Sequence, residues 1–391
     1  MLALEFKVKA KKQQYKARDE TIRTSQFIRN QALRYWENNK NVSKYDLNKQ
    51  CRLLAKEYSF AGKLNSQARQ SSAERAWSAI SRFYDNCKKQ IPGKKGYPQY
   101  KKNTRSVEYK KSGWQLDLVT RKHITFKDRN KIGRLKLIGT RDLHYYSPDE
   151  ISRVRLIRRA DGYYCQFLIN AERKETLEPT GNAIGLDVGL ESFYTDSNGD
   201  KTENPRYLRK SEDKIKTCQR RLSRKTKGSA NREKARQQLA KAHLRISRQR
   251  LEHAKRLARC VIQSNDLVAY EDLRVSNMVK NHNLAKSISD AGWYQFRVWL
   301  EYFADVFGRV TVAVPPQYTS QECSNCGVVV KKSLSNRTHQ CKCGCVLDRD
   351  HNASINILKS GLRTVGHTGT YACGDLTSTL VGESLSEQLE S

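Results

Sequence analysis

Residues 318–358 read YTSQECSNCGVVVKKSLSNRTHQCKCGCVLDRDHNASINIL. The stretch contains two thiol pairs, Cys323-x-x-Cys326 and Cys341-x-Cys343, which are separated by a polar, basic loop. Two close thiol pairs across such a loop suit tetrahedral ligation of Zn²⁺ by sulfur. The alternative is a set of unrelated buried or disulfide-bonded thiols. We predict a structural zinc site.

The segment after the second thiol pair carries two further features. Cys345 extends the pair to C-x-C-x-C, so Cys345 could replace Cys343 as the fourth zinc ligand. The acidic triplet DRD follows at 348–350, and an apolar pattern with helical spacing begins directly after it. An acid in this position opens a helix next to the predicted zinc module.

The composition narrows the class of protein. The chain has 391 residues, enough for two to three domains. Hydrophobic residues make up 37% of it, which is enough to form the cores of these domains. With a net charge of +34, the cationic side chains repel one another unless a polyanion neutralises them, and this indicates nucleic acid as the partner. An anionic membrane surface is the weaker alternative, because no lipid anchor and no apolar run of membrane-spanning length is found.

The start of the sequence, MLALEFKVKAKKQQ, has no long apolar segment, so we expect no signal peptide. The chain has eleven cysteines, and those outside the cluster are scattered. We therefore expect reduced thiols and a cytoplasmic protein.

The first half alternates between strand and helix signals. Residues 1–10 predict one strand, and a helical pattern extends to about residue 90, with Asp46 and Asn65 as candidate caps. We interpret its Trp and Tyr stripes as core rather than as base-stacking surfaces. From 103 to 172 short β-like runs follow, and Asp161-Gly162 predicts a hairpin turn.

The second half predicts four strands. One apolar strand ends at Asp187, a second follows Gly189 and is closed by a Ser-Asn-Gly turn, and a third spans 266–271 and ends at Glu271. A helix around AGWYQFRVWLEYFADVFG comes next, and RVTVAVPP predicts the fourth strand. Between the third strand and that helix, SNMVKNHN predicts a polar loop.

Residues 201–260 contain 21 Lys and Arg against 5 Asp and Glu. We predict two long basic helices with a break at 227–229. Acidic partners for i,i+4 pairing are scarce, which favours contact with a nucleic-acid backbone over a solvated helix pair. The candidate contact residues are Arg220, Arg221, Arg224, Lys225, Arg245 and Arg248.

Three acids stand at the ends of apolar strands or at the start of a helix: Asp187, Glu271 and Asp350. Each by itself is more typical of a helix cap or a solvated loop. Three carboxylates in one place suit two Mg²⁺ ions, which prefer oxygen ligands and promote phosphodiester hydrolysis. An apo structural role for such a buried cluster is unfavourable, because the carboxylates repel one another.

Several motifs together resemble the TnpB proteins of bacterial insertion sequences. TSQECSNCG, a second thiol pair and DRDHNASINI resemble the C-terminal signature of that family, and GLDVGL and VAYEDL match its other acidic motifs. The resemblance implies that Asp187, Glu271 and Asp350 are the catalytic, Mg²⁺-binding acids of a RuvC-like (ribonuclease-H-like) site. Asp350 is chosen over Asp348 because it precedes x-Asn-Ala, and Asp348 is expected to cap the helix or orient Arg349.

The resemblance also implies an α/β multidomain fold with a zinc module inserted in a RuvC-like nuclease domain. The expected divisions are a β-barrel (wedge-like) domain at 1–10 and 103–172, interrupted by a helical recognition domain at 11–102. The nuclease domain is expected at 181–317 and 348–363, the zinc-binding module at 318–347 and a disordered tail at 364–391.

The implied function is RNA-guided DNA cleavage. A guide RNA from the transposon end would pair with double-stranded DNA next to a short motif, and the protein would work in the bacterial cytoplasm at the nucleoid. Two other classes stay open: a guide-dependent DNA binder or repressor that does not cut, and a guide-free structure-selective nuclease or transposase. A zinc-finger regulator without enzyme activity would leave the three acids unexplained.

Overall fold

A computed structural model describes residues 1–9, 11–333 and 336–366 of the chain. These residues form two compact units, which divide between Glu172 and Arg173. Within the described part of the chain, no helix has both the length and the apolar character needed to cross a membrane. The ten cysteines described are all free thiols, as expected; Cys373 lies outside the described residues.

The N-terminal unit consists of a seven-stranded antiparallel sheet and four helices. Its strands are β1 Leu2–Lys9, β2 Ser106–Lys110, β3 Trp114–Leu116, β4 His123–Phe126, β5 Gly133–Ile138, β6 Ile151–Arg159 and β7 Gly162–Ile169. Its helices are α1 Lys12–Asn38, α2 Lys44–Glu57, α3 Ser59–Lys63 and α4 Ser66–Lys88. The strand order is β2-β6-β7-β1-β5-β4-β3, so the first strand lies at the centre of strands that follow the helices.

This sheet is a half-barrel, whereas the sequence predicted a barrel. Its edges are β2 and the three-residue β3, and each pairs with a single neighbour among the described strands. The predicted hairpin turn is confirmed, since Arg159 pairs with Gly162. Trp36 is buried in the core, as interpreted, and donates to the Tyr84 hydroxyl at 3.0 Å, but Tyr84 itself is half exposed, so the core interpretation does not hold for this tyrosine.

The predicted caps are correct for one helix and wrong for the other. Asn65 caps α4 by accepting a hydrogen bond from Gln67 N. In α2 the cap is Ser43, and Asp46 is the third helical residue, whose carboxylate accepts a hydrogen bond from Ser43 N at 2.9 Å. The two residues form a capping box, so Asp46 marks the first turn and not the cap.

The C-terminal unit is built on a five-stranded sheet with seven helices and a small hairpin. The strands are β8 Ala183–Val188, β9 Ser192–Asp196, β10 Lys201–Glu203, β11 Leu267–Glu271, β12 Val310–Val314, β13 Thr338–Gln340 and β14 Val346–Asp348. The helices are α5 Tyr207–Lys210, α6 Glu212–Ser223, α7 Ala230–Ser264, α8 Val275–Met278, α9 His282–Ala291, α10 Trp293–Phe307 and α11 Arg349–Thr364.

The sheet order is β10-β9-β8-β11-β12, in which β8, β11 and β12 are parallel to one another and β9 is antiparallel to both of its neighbours, β8 and β10. The two basic helices are α6 and α7, and the predicted break between them is confirmed, although α6 has only 12 residues. The prediction of a loop at SNMVKNHN is wrong in part, because most of α8 and the start of α9 lie within this segment. The predicted tail at 364–391 lies outside the described residues from 367 onward.

Candidate active site and metal centre

The strand register places two of the predicted acids side by side. β8 and β11 are adjacent and parallel, and Leu186 pairs with Tyr270. Asp187 and Glu271 are the next residues on these strands, so both lie at the carboxyl edge of the sheet. This edge is where functional side chains of open α/β sheets are usually found.

Helix α11 brings the third acid to the same edge, because two glycines let it approach the sheet closely. A Cβ on Gly185 of β8 would lie 2.2 Å from the carbonyl oxygen of Ser354 in α11. A Cβ on Gly361 would lie 2.5 Å from the Cβ of Ala269 in β11. Asp350, in the first turn of α11, is thereby held next to the two strand ends, where its carboxylate acts on Asp187.

The charges of Glu271 and Asp350 both act on Asp187. Burial raises the pKa of Asp187 well above its usual range, and the negative charges of Glu271 and Asp350 raise it further. Burial also raises the pKa of Glu271, although a hydrogen bond from the Thr319 hydroxyl, 2.6 Å from Oε1, lowers it. Such a group of carboxylates is costly to ionise by itself, and carboxylate oxygens are the type of ligand that Mg²⁺ prefers.

Two residues of this site were missed by sequence reasoning: Thr319 and Arg337. Arg337 Nη1 lies 3.5 Å from Asp350 Oδ2, and its Nη2 lies 3.1 Å from Glu191 Oε2. Both residues belong to the cysteine-rich stretch quoted above. The only signal in the sequence was their proximity to the thiol pairs. That proximity does not show that the segment around the thiol pairs folds back toward the acids.

Asp348 has the capping role that was expected of it. Its Oδ1 accepts hydrogen bonds from Asp350 N at 2.9 Å and His351 N at 3.3 Å, and its Oδ2 lies 2.8 Å from Lys201 Nζ. Arg349 instead contacts Asp350, with 3.1 Å between Nη2 and Oδ1. Asp348 therefore fixes the start of α11, which positions the carboxyl of Asp350.

The four sulfurs of Cys323, Cys326, Cys341 and Cys343 lie within 4.8 Å of one another. The Sγ–Sγ distance is 3.6 Å both from Cys323 to Cys343 and from Cys326 to Cys341. Tetrahedral Zn²⁺ with Zn–S bonds of about 2.3 Å needs sulfurs about 3.8 Å apart, so this group is compatible with structural zinc.

Cys345 is not among these four sulfurs. Its carbonyl oxygen instead accepts a hydrogen bond from Cys341 N at 2.9 Å, which closes the second knuckle. Of the two alternatives for the fourth ligand, the geometry favours Cys343.

The pKa values of two of these thiols shift in opposite directions. Burial by itself would raise the pKa of Cys323, but backbone N–H groups of Cys326 and Asn325 donate to its sulfur and the pKa falls to about 5. The Val328 N–H lowers the pKa of Cys326, but the neighbouring sulfurs outweigh it and raise the pKa to about 12. Four thiolates at this distance need a cation such as Zn²⁺ to coexist.

The cysteine module is held on α11 by two side-chain amides. Asn352 is fully buried, accepts from Ser324 N at 2.9 Å and donates to Glu322 O at 2.7 Å. Asn356 donates to the carbonyl oxygens of Glu322 and Thr319 at 2.8 and 2.9 Å. The helix that carries Asp350 and the first thiol knuckle are therefore one hydrogen-bonded assembly.

The predicted nucleic-acid contacts lie on α6, α7 and the segment between them. All six side chains are exposed: Arg220, Arg221, Arg224, Lys225, Arg245 and Arg248. The buried residues of the two helices are apolar and include Ile215, Ile246 and Ala258. The pair thus has an apolar face toward the unit and an exposed cationic surface.

Comparisons with known proteins indicate the class of protein to which the chain is similar. Residues 166–282 match the family model OrfB_IS605, described as "Probable transposase", and residues 293–357 match the TNB domain of Cas12f1-like proteins. The cryo-EM structure of the Cas12f1–sgRNA–target DNA complex aligns over 88% of this chain and 81% of the Cas12f1 chain. Its TM-score of 0.50 at 14% identity is a likeness of fold.

Two curated relatives are similar along much of the sequence. The "Putative RNA-guided DNA endonuclease" of Streptomyces pristinaespiralis is 34% identical over 331 residues, which are 82% of this chain and 76% of the relative. "Putative RNA-guided DNA endonuclease InsQ" of Escherichia coli K12 is 31% identical over 58% of this chain and 59% of its own length. The chain belongs to the TnpB family.

Proposed function

We propose that this chain is an RNA-guided DNA endonuclease whose metal-dependent site consists of Asp187, Glu271 and Asp350. The observation that carries the proposal is the meeting of these three carboxylates at one edge of a parallel sheet. Two relatives with endonuclease names support the same activity. Family membership alone would not assign the site, but the three carboxylates indicate where hydrolysis would occur.

The residues of the site have separate roles in this proposal. Mg²⁺ held by Asp187, Glu271 and Asp350 would activate the attacking water and stabilise the leaving oxygen. Thr319 orients the Glu271 carboxylate through its 2.6 Å hydrogen bond. Arg337 adds positive charge beside Asp350, which favours the approach of an anionic phosphodiester.

We infer the nucleic-acid partners from the family of the chain and from its positive charge. A guide RNA from the end of the insertion sequence pairs with the target strand of double-stranded DNA, and the exposed cations of α6 and α7 hold the backbone. The N-terminal domains read a short motif beside the target. One site cuts both strands in turn, and cleavage at the nucleoid favours retention of the element rather than strand transfer.

The domain roles that we propose keep the divisions predicted from the sequence. Residues 1–10 and 103–172 form a wedge-like domain, and 11–102 form a recognition domain. Residues 181–317 and 348–363 form the nuclease domain around the zinc-binding module at 318–347. Structural Zn²⁺ at Cys323, Cys326, Cys341 and Cys343 fixes this module on α11.

The test begins with purification of the chain from cells that carry its locus and sequencing of the RNA bound to it. A discrete RNA from the end of the element, and Mg²⁺-dependent cleavage of matching double-stranded DNA, are expected. Asp187→Ala should abolish cleavage and leave RNA and DNA binding intact.

Three other results would contradict the proposal. Guide-dependent DNA binding without cleavage by the wild-type chain would identify a repressor. Cleavage that persists after RNA removal would identify a guide-free nuclease. Loss of nucleic-acid binding in Asp187→Ala would give Asp187 a structural role.

A further inference from the structure

A narrow slot opens beside Glu271, at the carboxyl edge of the sheet in the C-terminal unit. It is formed by the ends of β8 and β11, the segment after β11 and the first half of α10. Glu271, Tyr294 and Arg297 line it together with apolar residues such as Val188, Trp293 and Phe296. We call it the α10 slot, and of these residues only Glu271 has a role in the function proposed above.

The topology brings the start of α10 to the edge of the sheet where the acids lie. α10 is the last helix between β11 and β12, which are parallel, so it runs antiparallel to both strands. Tyr270, one residue before Glu271, donates to Glu301 in the middle of α10 at 2.8 Å. The first two turns of α10 therefore extend past the end of β11, beside the space in front of the acids.

Tyr294 is an exposed aromatic ring in this position. It is 66% exposed, whereas its neighbours Trp293 and Phe296 are buried. Within the described part of the chain, its hydroxyl makes no hydrogen bond and its ring contacts no other aromatic ring. Tyr and Trp side chains combine an apolar face with a polar tip and are typical of binding surfaces. The Tyr294 ring is therefore available for an external planar group.

Trp293 adds a polar requirement to the same slot. The side chain is only 6% exposed, and its indole N–H has no hydrogen-bond acceptor among the described residues. A buried donor without an acceptor destabilises a protein, so an acceptor supplied by a ligand would be favourable. The cavity has a volume of about 30 Å³, which is room for one small polar group but not for an aromatic ring.

We propose that the α10 slot binds one unpaired nucleobase of the DNA strand, next to the phosphodiester that is cut. The base stacks on the exposed Tyr294 ring, outside the cavity, and one acceptor atom of its edge enters toward the Trp293 N–H. Every nucleobase has a flat face for such stacking and carbonyl or ring-nitrogen acceptors on its edge. This assignment rests on the proposed function, because the strand that is cut must pass Glu271.

The consequence for the reaction is selection of an unpaired nucleotide. Bases within a duplex stack on one another and leave no face for Tyr294, whereas an unpaired base can turn toward it. A base held in the slot fixes the position of its own phosphodiester relative to Glu271. Tyr294 is thus a positioning residue for the strand and not a catalytic one.

The experiment pairs Tyr294→Ala with removal of single bases from the DNA. The targets are an intact duplex that matches the copurified RNA and a set of duplexes with one abasic nucleotide at successive positions around the cut. Tyr294→Ala should slow single-turnover cleavage of the intact target about 5- to 150-fold, the usual effect of losing one stacked base. At one position, the abasic nucleotide should slow the wild type by a similar factor and leave Tyr294→Ala unchanged.

Trp293→Phe tests the edge contact in the same set of targets. It removes the indole N–H and keeps an aromatic ring, so it should show part of the coupling to the same abasic position. Coupling for Tyr294→Ala without any for Trp293→Phe would refute the contact with Trp293 and leave the stacking.

The fluorescence of 2-aminopurine measures the stacking without cleavage. The probe is a target strand with 2-aminopurine at one position near the cut, bound by Asp187→Ala so that the strand stays intact. Adding Tyr294→Ala should raise the fluorescence at the coupled position, because the base is released, and Tyr294→Phe should keep it low. Val298→Ala removes exposed apolar surface one turn further along α10, outside the slot, and should leave both cleavage and fluorescence unchanged.

Three outcomes would contradict the inference or the proposed function. Equal cleavage of the intact target by Tyr294→Ala and the wild type would overturn the inference. So would an equal loss of rate on intact and abasic targets, because Tyr294 would then act on the fold or on another partner. If the wild type cuts no target, the proposed function fails and the fluorescence decides the inference: equal signals with and without Tyr294→Ala at every position would refute the slot.

Discussion

The hydroxyl of Thr319 donates a 2.6 Å hydrogen bond to Oε1 of Glu271. The two residues are 48 positions apart, and the contact joins the cysteine-rich stretch to the end of a central strand. Because the hydroxyl stabilises the ionised carboxylate, it opposes the effect of burial on the pKa of Glu271. Thr319 therefore favours the ionised form of Glu271, which the proposed metal site requires.

Thr319→Val should reduce DNA cleavage about 10- to 100-fold, the usual effect of losing a partner of a metal-binding side chain. Without the hydroxyl, Glu271 is less well oriented and harder to ionise, so more Mg²⁺ is needed for half-maximal rate. The measurement is the cleavage rate against Mg²⁺ concentration. Thr319→Ser keeps the hydroxyl and should retain most of the activity, and a fully active Thr319→Val would show that the contact is dispensable.

Gly185→Ala should destabilise the C-terminal unit by about 3 kcal/mol, at the upper end of the usual cost of overpacking. The new methyl group would meet Ser354 O at 2.2 Å and Leu358 N at 2.7 Å, both in the backbone of α11. These atoms belong to a helix and cannot move independently. Chemical denaturation measures the loss of stability.

The control for this substitution is Gly228→Ala. Gly228 has a positive φ of 86° and no atom near its added Cβ, so it reports only backbone strain, about 1 kcal/mol. If Gly185→Ala costs no more than Gly228→Ala, then α11 does not need the close approach to β8.

Sequence reasoning located the elements of the site but missed the contacts between them. Asp187 and Glu271 were found because apolar runs end at these acids, and Asp350 because it opens a helical pattern. Thr319 and Arg337 reach the acids only after the loop around the thiol pairs folds back, and no local pattern encodes that path. Helices α8 and α9 were missed because α8 has four residues and α9 begins in a polar segment with an Asn281 cap.

The pH dependence of stability should reveal the charge of the acid cluster in the metal-free protein. The folded-state pKa of Asp187 is raised, so the native state holds this proton to higher pH than the unfolded chain does. The contribution of Asp187 to stability is therefore largest below the ordinary Asp pKa of about 3.9. This contribution is lost as the pH rises toward the folded-state pKa of Asp187.

In EDTA, this effect should lower the melting temperature of the wild-type protein as the pH rises, whereas the melting temperature of Asp187→Asn should not show this decrease. Asp187→Asn should also be the more stable protein at pH 7 without metal. Mg²⁺ should raise the wild-type melting temperature more at pH 7.5 than at pH 5 and have little effect on Asp187→Asn. Identical pH profiles for the two proteins in EDTA would mean that Asp187 is not buried among like charges.

Zinc content should distinguish the four clustered sulfurs from the fifth. Cys343→Ser removes a sulfur that lies 3.6 Å from Cys323, so the purified protein should lose its zinc. Cys345→Ser removes a sulfur outside the cluster and should keep about one Zn²⁺ per chain, because the backbone contact that closes the knuckle is unaffected. Metal analysis by mass spectrometry gives both values.

Loss of zinc should also affect the structure of the candidate active site. Asn352 and Asn356 tie α11 to the carbonyl groups of the first knuckle, so Cys323→Ser should loosen the start of the helix that carries Asp350. Amide hydrogen exchange should rise in 349–353 for Cys323→Ser and stay at the wild-type level for Cys345→Ser. If Cys323→Ser releases zinc without a change of exchange there, the two parts are independent, and the metal stabilises the thiol module alone.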